Sequence, residues 1–348
     1  MPSERARRPS DKPNKPAKPS SGRLRAWVWL YLVAVLLVAA AMQWLGDRWW
    51  PATLILFAPR WPWALPLLLL VPLALFKARR LLWPLAGAGG VLLFGVAGLV
   101  PPSIVALSDG VEPAELRVLT YNLGGVPDAR LITPWLERAA PRVAVFQECS
   151  ALLEKARPTL IERGWKVELQ QGSCLVSRDP IRRVEARDPK AIWQMHGSGV
   201  VVRYEIDLPG RTLNVVNLHL ATVRSGLGAI MHRRLGGISE LESNIEQRDL
   251  ESMLARAFAR ESSDPLLVMG DFNMPVESTI YRRHWDDLEN AFACAGAGFG
   301  HTKATRWHGV RIDHVLLGQG WRCLRTEVGE DLGGDHRPVI ADLRWTGG

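Results

Sequence analysis

The sequence predicts an α/β domain, with helices outside two packed β-sheets, that follows three membrane-spanning helices. From Glu115 onward, short strand-like runs rich in Val, Ile and Leu alternate with helical patterns. Before that point, residues 26–107 consist mostly of three apolar stretches. The 47% content of apolar residues excludes a mostly disordered chain, and four cysteines in 348 residues exclude a small disulfide-held scaffold.

The charge of the chain divides at the same point. The whole chain carries 43 Lys and Arg against 35 Asp and Glu, and its net charge of +8 suggests a nucleic-acid partner. Residues 1–107, however, hold thirteen basic and three acidic residues, whereas 108–348 hold 30 basic and 32 acidic ones. The C-terminal domain, 108–348, is therefore nearly neutral, and the indication of nucleic-acid binding disappears.

The N-terminal part reads as a tail followed by a membrane anchor. Residues 1–25 are rich in Pro, Ser, Lys and Arg, which is typical of a disordered tail. The next 21 residues, 26–46, carry no charge and are long enough to cross a bilayer core of about 30 Å. Further apolar stretches run from about Trp61 to Phe76 and from Leu81 to about Val100. Together they predict three transmembrane helices within residues 26–107.

Lys and Arg in the flanks predict the orientation of these helices. The tail carries a net charge of +6 and the loop 77–80 one of +3, whereas the other loop has two basic residues and one acidic residue. Because cytoplasmic loops carry the excess of Lys and Arg, we expect a multi-pass protein of the inner or plasma membrane with a cytoplasmic N-terminus. The C-terminal domain then lies outside the cytoplasm. The alternatives are a signal peptide cleaved near Ala39–Ala41 and three buried helices of a soluble protein.

Eight strands and three helices are predicted in the C-terminal domain. The strands are LRVLTYN (116–122), RVAVFQE (142–148), CLVSR (174–178), GVVVRYEI (199–206), TLNVVNLHL (212–220), PLLVMGDFN (265–273), RIDHVLL (311–317) and RPVIADLRW (337–345). The helices are Asp128–Ala140, Ser150–Arg163 and Ser239–Arg260. The Gly- and Arg-rich residues 221–238 are predicted to form a loop.

Polar side chains stand at the ends of these strands. Residues two apart, such as the pair in NVVNLH and the pair in GDFN, share one face of a strand. Burying one such group without a partner costs about 1–3 kcal/mol, so their placement is favourable only where they meet one another, a metal or a substrate. The set comprises Asn122, Glu148, Asn217, His219, Asp271, Asn273, Asp313, Asp335 and His336.

These residues occur in motifs that resemble one known family. YN (121–122), QE (147–148), NLH (217–219), GDFN (270–273), RIDH (311–314) and GDHRP (334–338) are similar to motifs of the endonuclease/exonuclease/phosphatase superfamily. The resemblance covers about residues 115–345 and extends to the bacterial membrane-anchored branch. It implies a four-layered α/β sandwich and divalent-metal-dependent hydrolysis of a phosphoester, in which water attacks phosphorus directly.

A hard cation, Mg²⁺ or Mn²⁺, suits this chemistry because it neutralises the phosphate and polarises its oxygen. Mg²⁺ prefers carboxylate and carbonyl oxygens and keeps several waters, so one or two carboxylates suffice. Glu148 is the best candidate ligand, with Asn122 beside it. Asp335 is a further candidate ligand.

The remaining polar residues are expected to carry out catalysis. Asp271 should bind or orient the attacking water, and Asn273 should hold a phosphate oxygen. His336 should act as general acid/base or electrostatic stabiliser, with Asp313 orienting its imidazole. His219 should hold the phosphate or protonate the leaving group.

Two more residues, Asn217 and Arg224, are predicted to contact the substrate, whose identity the sequence leaves open among DNA, a phospholipid headgroup and an inositol phosphate. AP endonucleases carry an acid where this chain has Gly124 and a Tyr where it has His219, which disfavours abasic-site repair. The alternatives are a phospholipase C or sphingomyelinase type of hydrolase, a non-catalytic binding module, and a transport subunit. The lipid bilayer is the other expected partner, and no obligate protein partner is inferred.

Four further residues are expected to be structural. His314 lies on the strand face opposite to Asp313, which predicts a structural histidine. Cys174 is predicted to be a buried thiol, and outside the cytoplasm a bridge between Cys294 and Cys323 is an option.

Overall fold

The computed structural model describes residues 21–102, 114–188, 199–263, 265–305 and 307–347. Most of the predicted basic tail lies outside these ranges, and residues 21–25 belong to the first helix rather than to the tail. The N-terminal helices are α1 (Ser21–Leu45), α2 (Trp50–Phe57), α3 (Leu65–Lys77) and α4 (Leu82–Gly90), and a π-helical segment, Val91–Val96, continues α4.

The prediction of three transmembrane helices is corrected by these bounds. Within the described ranges, Gly22–Leu45 is the single helix long and apolar enough to cross a membrane. Trp50–Phe57 and Trp61–Lys77 pass the same test only as a pair bent by 84°. The third apolar stretch is divided between nine residues of α4 and the six-residue π-helical segment. Pro59 lies in the break between Trp50–Phe57 and Trp61–Lys77, and a proline lacks the N–H that an α-helix requires.

The N-terminal helices pack against one another and leave much apolar surface outside. Their shared core includes Val28, Val35 and Leu85, all buried. Large apolar side chains on the outer surfaces are exposed, as with Phe76 at 88% and Trp83 at 83%. An apolar outer surface of this kind marks a site of contact with a membrane or another protein.

Two mixed sheets make up the C-terminal domain. The strands are β1 (Leu116–Asn122), β2 (Val143–Gln147), β3 (Lys166–Gln170), β4 (Ser173–Ser177), β5 (Ile181–Ala186), β6 (Val200–Leu208), β7 (Arg211–His219), β8 (Leu266–Asp271), β9 (Glu289–Asn290), β10 (Lys303–Ala304), β11 (Gly309–Val310), β12 (Asp313–Leu317), β13 (Trp321–Val328) and β14 (Val339–Trp345). One six-stranded sheet has the order β13-β14-β1-β2-β4-β3, and the other has the order β5-β6-β7-β8-β12-β9. The hairpin β10-β11 is separate.

Helices cover the outer face of each sheet. The helices are α5 (Ile132–Ala139), α6 (Ser150–Glu162), α7 (Arg224–Arg233), α8 (Ile238–Arg260), α9 (Thr279–Trp285) and α10 (Ala291–Ala295). One apolar core lies between the sheets, a second lies under α5 and α6, and a third lies under α7, α8 and α9. The prediction of two packed sheets flanked by helices is confirmed. The predicted loop 221–238 is wrong, because α7 and a 3-10 turn occupy most of it.

The N-terminal helices dock on the C-terminal domain through polar contacts. The carboxylate of Asp47, just after α1, pairs with Arg248 of α8 at 2.7 Å, and neither side chain is exposed to solvent. The hydroxyl of Ser278 donates to the same carboxylate at 2.6 Å. Arg60 pairs with Glu277 at 2.8 Å. The two parts of the chain are therefore joined by buried hydrogen bonds and ion pairs as well as by the connecting segment.

Cys149 and Cys174 form a disulfide, which corrects the prediction of a free thiol at Cys174. Cys294 and Cys323 are both free thiols, so the option of a bridge between them is also wrong. The disulfide joins the residue that follows Glu148 to β4, on which Cys174 lies.

Candidate active site

Three of the predicted residues lie in one row across the second sheet. Asp271 ends β8, where it pairs in register with His219 of the parallel strand β7 and with Asp313 of the antiparallel strand β12. The strands approach closely because residue 270 is a glycine, with a φ of 147°. A Cβ at Gly270 would lie 1.9 Å from the carbonyl oxygen of Leu218. Glycine at this position therefore lets β7 and β8 bring His219 and Asp271 together.

Asn122 and Glu148 reach the same place from the first sheet. Asn122 ends β1, and Glu148 follows the parallel strand β2 in a left-handed backbone conformation with a φ of 51°. Nδ2 of Asn122 donates to Oε1 of Glu148 at 3.2 Å and to Oδ2 of Asp271 at 3.0 Å. The backbone N–H of Gly124 donates to Oδ1 of Asn122 at 2.9 Å. One amide thus holds a carboxylate from each sheet at the edge where the two sheets meet.

His219 and Asn273 border the same carboxylates. Nε2 of His219 lies 3.9 Å from Oε1 of Glu148 and 3.7 Å from Oδ2 of Asp271. The backbone N–H of Asn273 donates to Oδ1 of Asp271 at 2.8 Å, and Nδ2 of Asn273 donates to the carbonyl of Leu220 at 2.8 Å. Five predicted residues therefore surround one point at this edge.

His336 and Asp313 form a buried dyad beside Asp271. Nδ1 of His336 lies 2.9 Å and 3.2 Å from the two carboxylate oxygens of Asp313, and Nε2 lies 3.6 Å from Oδ2 of Asp271. Thr302 Oγ1 accepts the backbone N–H of Asp313 at 3.1 Å. The sequence alone did not single out this threonine, since it belongs to no recognised motif.

The charges of this dyad shift the pKa values of its neighbours. Burial would lower the pKa of His336, but the charge of Asp313, its hydrogen bond and the charge of Asp271 raise that pKa to about 9. Burial and the neighbouring carboxylate of Asp313 raise the pKa of Asp271. At neutral pH, His336 is therefore a cation whose Nδ1–H donates to Asp313 and whose Nε2–H faces Asp271.

Two groups of residues at this edge could hold a cation. Ligand atoms of Asp271, Asp313 and His336 all lie within 4.8 Å of one another. In that group, however, both carboxylate oxygens of Asp313 already lie within 3.2 Å of Nδ1 of His336. Glu148 and Asp271 offer carboxylate oxygens beside the amide of Asn122, and the side chain of Glu148 is 52% exposed, which leaves room for water ligands. This second group suits a hydrated divalent cation better.

Asp335 lies at the exposed border of the site, next to Lys303, a residue that the sequence analysis did not identify. Lys303, on β10, pairs with the carboxylate of Asp335, and its backbone forms a bridge with that of His336. Burial would raise the pKa of Asp335, but Lys303, then His336 and Arg224, hold it below its usual value. The nearest partner of the Asp335 carboxylate is thus a lysine, and Nε2 of His336 lies 3.9 Å from it. Arg224 begins α7 and is exposed, close enough to act on Asp335 by its charge.

Asn217 lies between the sheets rather than at their edge. Its side chain is fully buried and donates to the carbonyls of Phe146 and Cys174 at 3.0 and 3.2 Å. Nε2 of Gln147 donates to Oδ1 of Asn217 at 2.7 Å and to Oγ1 of Thr120 at 3.2 Å. Asn217 lies on the same face of β7 as His219, as their spacing of two residues predicts. At the position of Asn217, however, that face points into the core between the sheets. Asn217 therefore links the sheets beneath the site.

His314 is a structural histidine, in agreement with the prediction. Its Nε2 lies 3.0 Å from the carbonyl of Met274 and its Nδ1 lies 3.2 Å from Nδ2 of Asn290. Burial lowers the pKa of His314 to about 4, so the imidazole is neutral at physiological pH.

Two packed sheets, with carboxylates, an amide and imidazoles meeting at their strand ends, define an α/β-sandwich phosphoesterase fold. Residues 119–336, more than half of the chain, match the model of the Endonuclease/Exonuclease/phosphatase family. The chain therefore belongs to this family. No curated protein sequence matches the chain.

Solved structures resemble the chain in fold. TDP2 of D. rerio, humanised by 14 mutations, has a TM-score of 0.51 and 14% identity, covering 66% of this chain and 98% of that one. The endonuclease/exonuclease/phosphatase of Beutenbergia cavernae has a TM-score of 0.50 and 17% identity, covering 67% of this chain and 72% of that one. At these identities the similarity concerns the fold alone.

Proposed function

We propose that the protein is a divalent-metal-dependent phosphodiesterase in which water attacks phosphorus directly. The observation that carries this proposal is the convergence of Asn122, Glu148, His219 and Asp271 beside the buried dyad of Asp313 and His336. A non-catalytic binding module would gain nothing from a buried carboxylate–imidazole pair directed at a second buried carboxylate. Burying such groups is unfavourable unless each has a partner.

Each residue has a defined task in this proposal. Glu148 and Asp271 would hold the cation, which neutralises the phosphate and polarises its oxygen when bound. Asn122, whose Nδ2 donates to both carboxylates, would orient these ligands. The carboxylate of Asp271, held by the backbone N–H of Asn273, orients the attacking water and accepts its proton. The Nδ2 group of Asn273 exchanges the carbonyl of Leu220 for a phosphate oxygen.

The two histidines act on different groups of the substrate, the phosphate and the leaving group. His336 is cationic because its pKa is raised to about 9, so it stabilises negative charge that develops on the phosphate. Asp313 fixes the orientation of that imidazole. The side chain of His219 is 28% exposed and can reach a leaving-group oxygen to donate a proton.

The proposal is tested with the full chain purified in detergent, Mg²⁺ or Mn²⁺, and bis-p-nitrophenyl phosphate. Hydrolysis should require the metal and should fall by about 100-fold or more in Asp271→Ala and His336→Ala. Asp342→Asn, which breaks an ion pair with Arg117 on the other sheet, serves as control for the loss of a carboxylate. The enzymatic claim is abandoned if the wild-type chain is inactive, or if both site variants retain full activity.

We also propose that α1 anchors the protein in a membrane with the catalytic domain outside the cytoplasm. The apolar surface of α1 and the excess of Lys and Arg before it support the anchor and its orientation. The disulfide between Cys149 and Cys174 supports the same side, because disulfides persist mainly outside the cytoplasm. Fusions after Gly348 test this: alkaline phosphatase should be active there. Fluorescence of a cytoplasm-restricted reporter would contradict it.

A lipid headgroup phosphodiester is the second candidate substrate class, and one chain of contacts favours it. Asp47 lies two residues after α1 and contacts Arg248, which donates to the carbonyl of Asn273 at 3.2 Å. Asn273 in turn contacts Asp271, so the catalytic carboxylate lies on the order of 15 Å from Asp47. If α1 crosses the bilayer, the site is close to the headgroup layer, which is about 5–8 Å thick.

The next segment after His219 adds to this argument. Met231 and Leu235 are 81% and 75% exposed, and Arg233 and Arg234 lie between them. Apolar side chains among arginines suit the surface of an anionic bilayer. Proteoliposomes with the protein, offered labelled phosphatidylglycerol in the membrane and a labelled soluble diester, distinguish the candidates: a preference for the lipid supports this one, and hydrolysis of the soluble diester alone excludes it.

A further inference from the structure

The buried ion pair between Asp47 and Arg248 connects the N-terminal helices to the candidate active site. Nη1 of Arg248 donates to Oδ1 of Asp47 at 2.7 Å, and both side chains have no exposed surface. Nη2 of the same guanidinium donates to the carbonyl oxygen of Asn273 at 3.2 Å. One guanidinium thus contacts both Asp47, two residues after α1, and Asn273 of the site.

Other contacts hold this guanidinium in place from the N-terminal side. The guanidinium carbon of Arg248 lies 5.2 Å from the centre of the Phe57 ring of α2. The carboxylate of Asp47 also accepts the hydroxyl of Ser278, and the backbone N–H of Asp47 donates to Oγ1 of Thr53 at 3.1 Å. Two residues from the N-terminal segment therefore fix the charge and the position of an arginine that belongs to the catalytic domain.

The backbone of Asn273 is held from both sides. Its φ of 52° lies in the left-handed region, which asparagine adopts more readily than other residues with a side chain. Its N–H is held by Asp271 and its carbonyl by Arg248. The direction of the Asn273 side chain, which the proposed function assigns to a phosphate oxygen, follows from these two backbone contacts.

We infer that Asp47 and Arg248 are positioning residues for Asn273, so that the N-terminal segment is a part of the catalytic unit. The inference rests on the proposed function, because it concerns the turnover of a phosphodiester. Neutralising Asp47 releases Arg248, Arg248 withdraws from the carbonyl of Asn273, and the Asn273 amide loses its alignment. A misplacement of about 1 Å can reduce turnover by about 100-fold.

The test is a double-mutant cycle in the full chain, with bis-p-nitrophenyl phosphate and saturating metal. Asp47→Asn should reduce kcat by about 10- to 100-fold with little change in KM. In the Asn273→Ala background the same substitution should change kcat by less than about twofold, because the group through which it acts is gone. Equal effects of Asp47→Asn in both backgrounds overturn the inference.

Glu277→Gln is the matched control, since Glu277 makes the other ion pair to the N-terminal segment, with Arg60, and neutralising it likewise keeps the shape of the side chain. It should change kcat by less than about threefold in either background. A reduction as large as that of Asp47→Asn means that any loosening of the N-terminal segment is sufficient, and the specific role of Asp47 is then refuted.

A second variant, Arg248→Lys, tests the inference if Asp47→Asn does not fold. Arg248→Lys keeps a cation beside Asp47 but lacks the planar fork that donates to two groups at once, so kcat should still fall by about tenfold. Amide hydrogen exchange of residues 271–274 gives a result without turnover: it should be faster in Arg248→Lys than in wild type, and unchanged exchange refutes the inference. If the wild-type chain itself is inactive, the proposed function fails, which is a different outcome from a failed cycle in an active enzyme.

Discussion

Replacing Gly124 by alanine tests whether Glu148 holds the metal. A Cβ at this position would lie 2.6 Å from Oε2 of Glu148 and 3.1 Å from Oδ1 of Asn122. The nearest atom belongs to the end of a flexible side chain that is 52% exposed, so Glu148 can move away. The substitution should therefore disturb the carboxylate without disturbing the fold.

The magnitude follows from these distances. Non-bonded carbon and oxygen atoms settle at about 3.4 Å or more, so Oε2 of Glu148 must retreat by about 0.8 Å. Metal–ligand distances tolerate only about 0.2 Å, and Mg²⁺ demands nearly octahedral geometry. We expect the concentration of Mg²⁺ for half-maximal activity to rise about 10- to 100-fold, which corresponds to about 1.4–2.7 kcal/mol. The free energy of unfolding should change by less than about 0.5 kcal/mol.

The assay is hydrolysis of bis-p-nitrophenyl phosphate against free Mg²⁺, together with thermal unfolding in the absence of metal. Gly228→Ala is the matched control, because a Cβ at Gly228 of α7 meets nothing within 4 Å. It should leave the metal dependence unchanged and stabilise α7 slightly. A metal dependence of Gly124→Ala equal to that of wild type would show that Glu148 does not hold the metal.

Three further predictions concern stability. Gly270→Ala should prevent folding or lower the free energy of unfolding by more than about 4 kcal/mol, because its Cβ would lie 1.9 Å from the backbone of Leu218. Circular dichroism should show the loss of structure, and a stable variant would contradict this prediction. Because burial lowers the pKa of His314 to about 4, the folded state loses up to about 3 kcal/mol as pH falls from about 6.5 to 4. Denaturant titrations of His314→Leu should lack that part of the pH dependence, and an unchanged slope would refute it. The double variant Cys149→Ser, Cys174→Ser should lower the free energy of unfolding by about 3.5 kcal/mol, because the disulfide closes a loop of 25 residues. Denaturant titration of the wild type in reductant should show the same loss, and an unchanged midpoint would contradict it.

The strands that the sequence revealed are those with both faces covered. Central strands such as β1, β7 and β8 are rich in Val and Leu, and all three were predicted within a few residues. The longer strands that were missed, β3, β5 and β13, lie at edges of the two sheets. An edge strand is partly solvated and carries charged residues, so its apolar pattern is weak.

The site could be predicted where its residues are next to one another along strand ends, and not where distant segments supply them. Asp271 and Asn273 occur within one motif. Lys303 and Thr302 reach the site only because a short hairpin folds back on His336 and Asp313. No spacing or periodicity in the sequence marks such a hairpin.

The contacts between the N-terminal helices and the C-terminal domain bear on how the proposed phosphodiesterase would meet its substrate. A domain on a flexible tether could turn and reach substrates far from its anchor. Here Arg248 would lose its buried partner if the domain moved away from Asp47, and breaking a buried ion pair costs about 3–5 kcal/mol. Trp50 and Leu54 of α2 also pack on the core under α8 and would be exposed. The C-terminal domain is therefore held at one orientation to α1. If α1 spans a membrane and the proposed activity holds, the domain would be restricted to phosphodiesters that come to the bilayer surface.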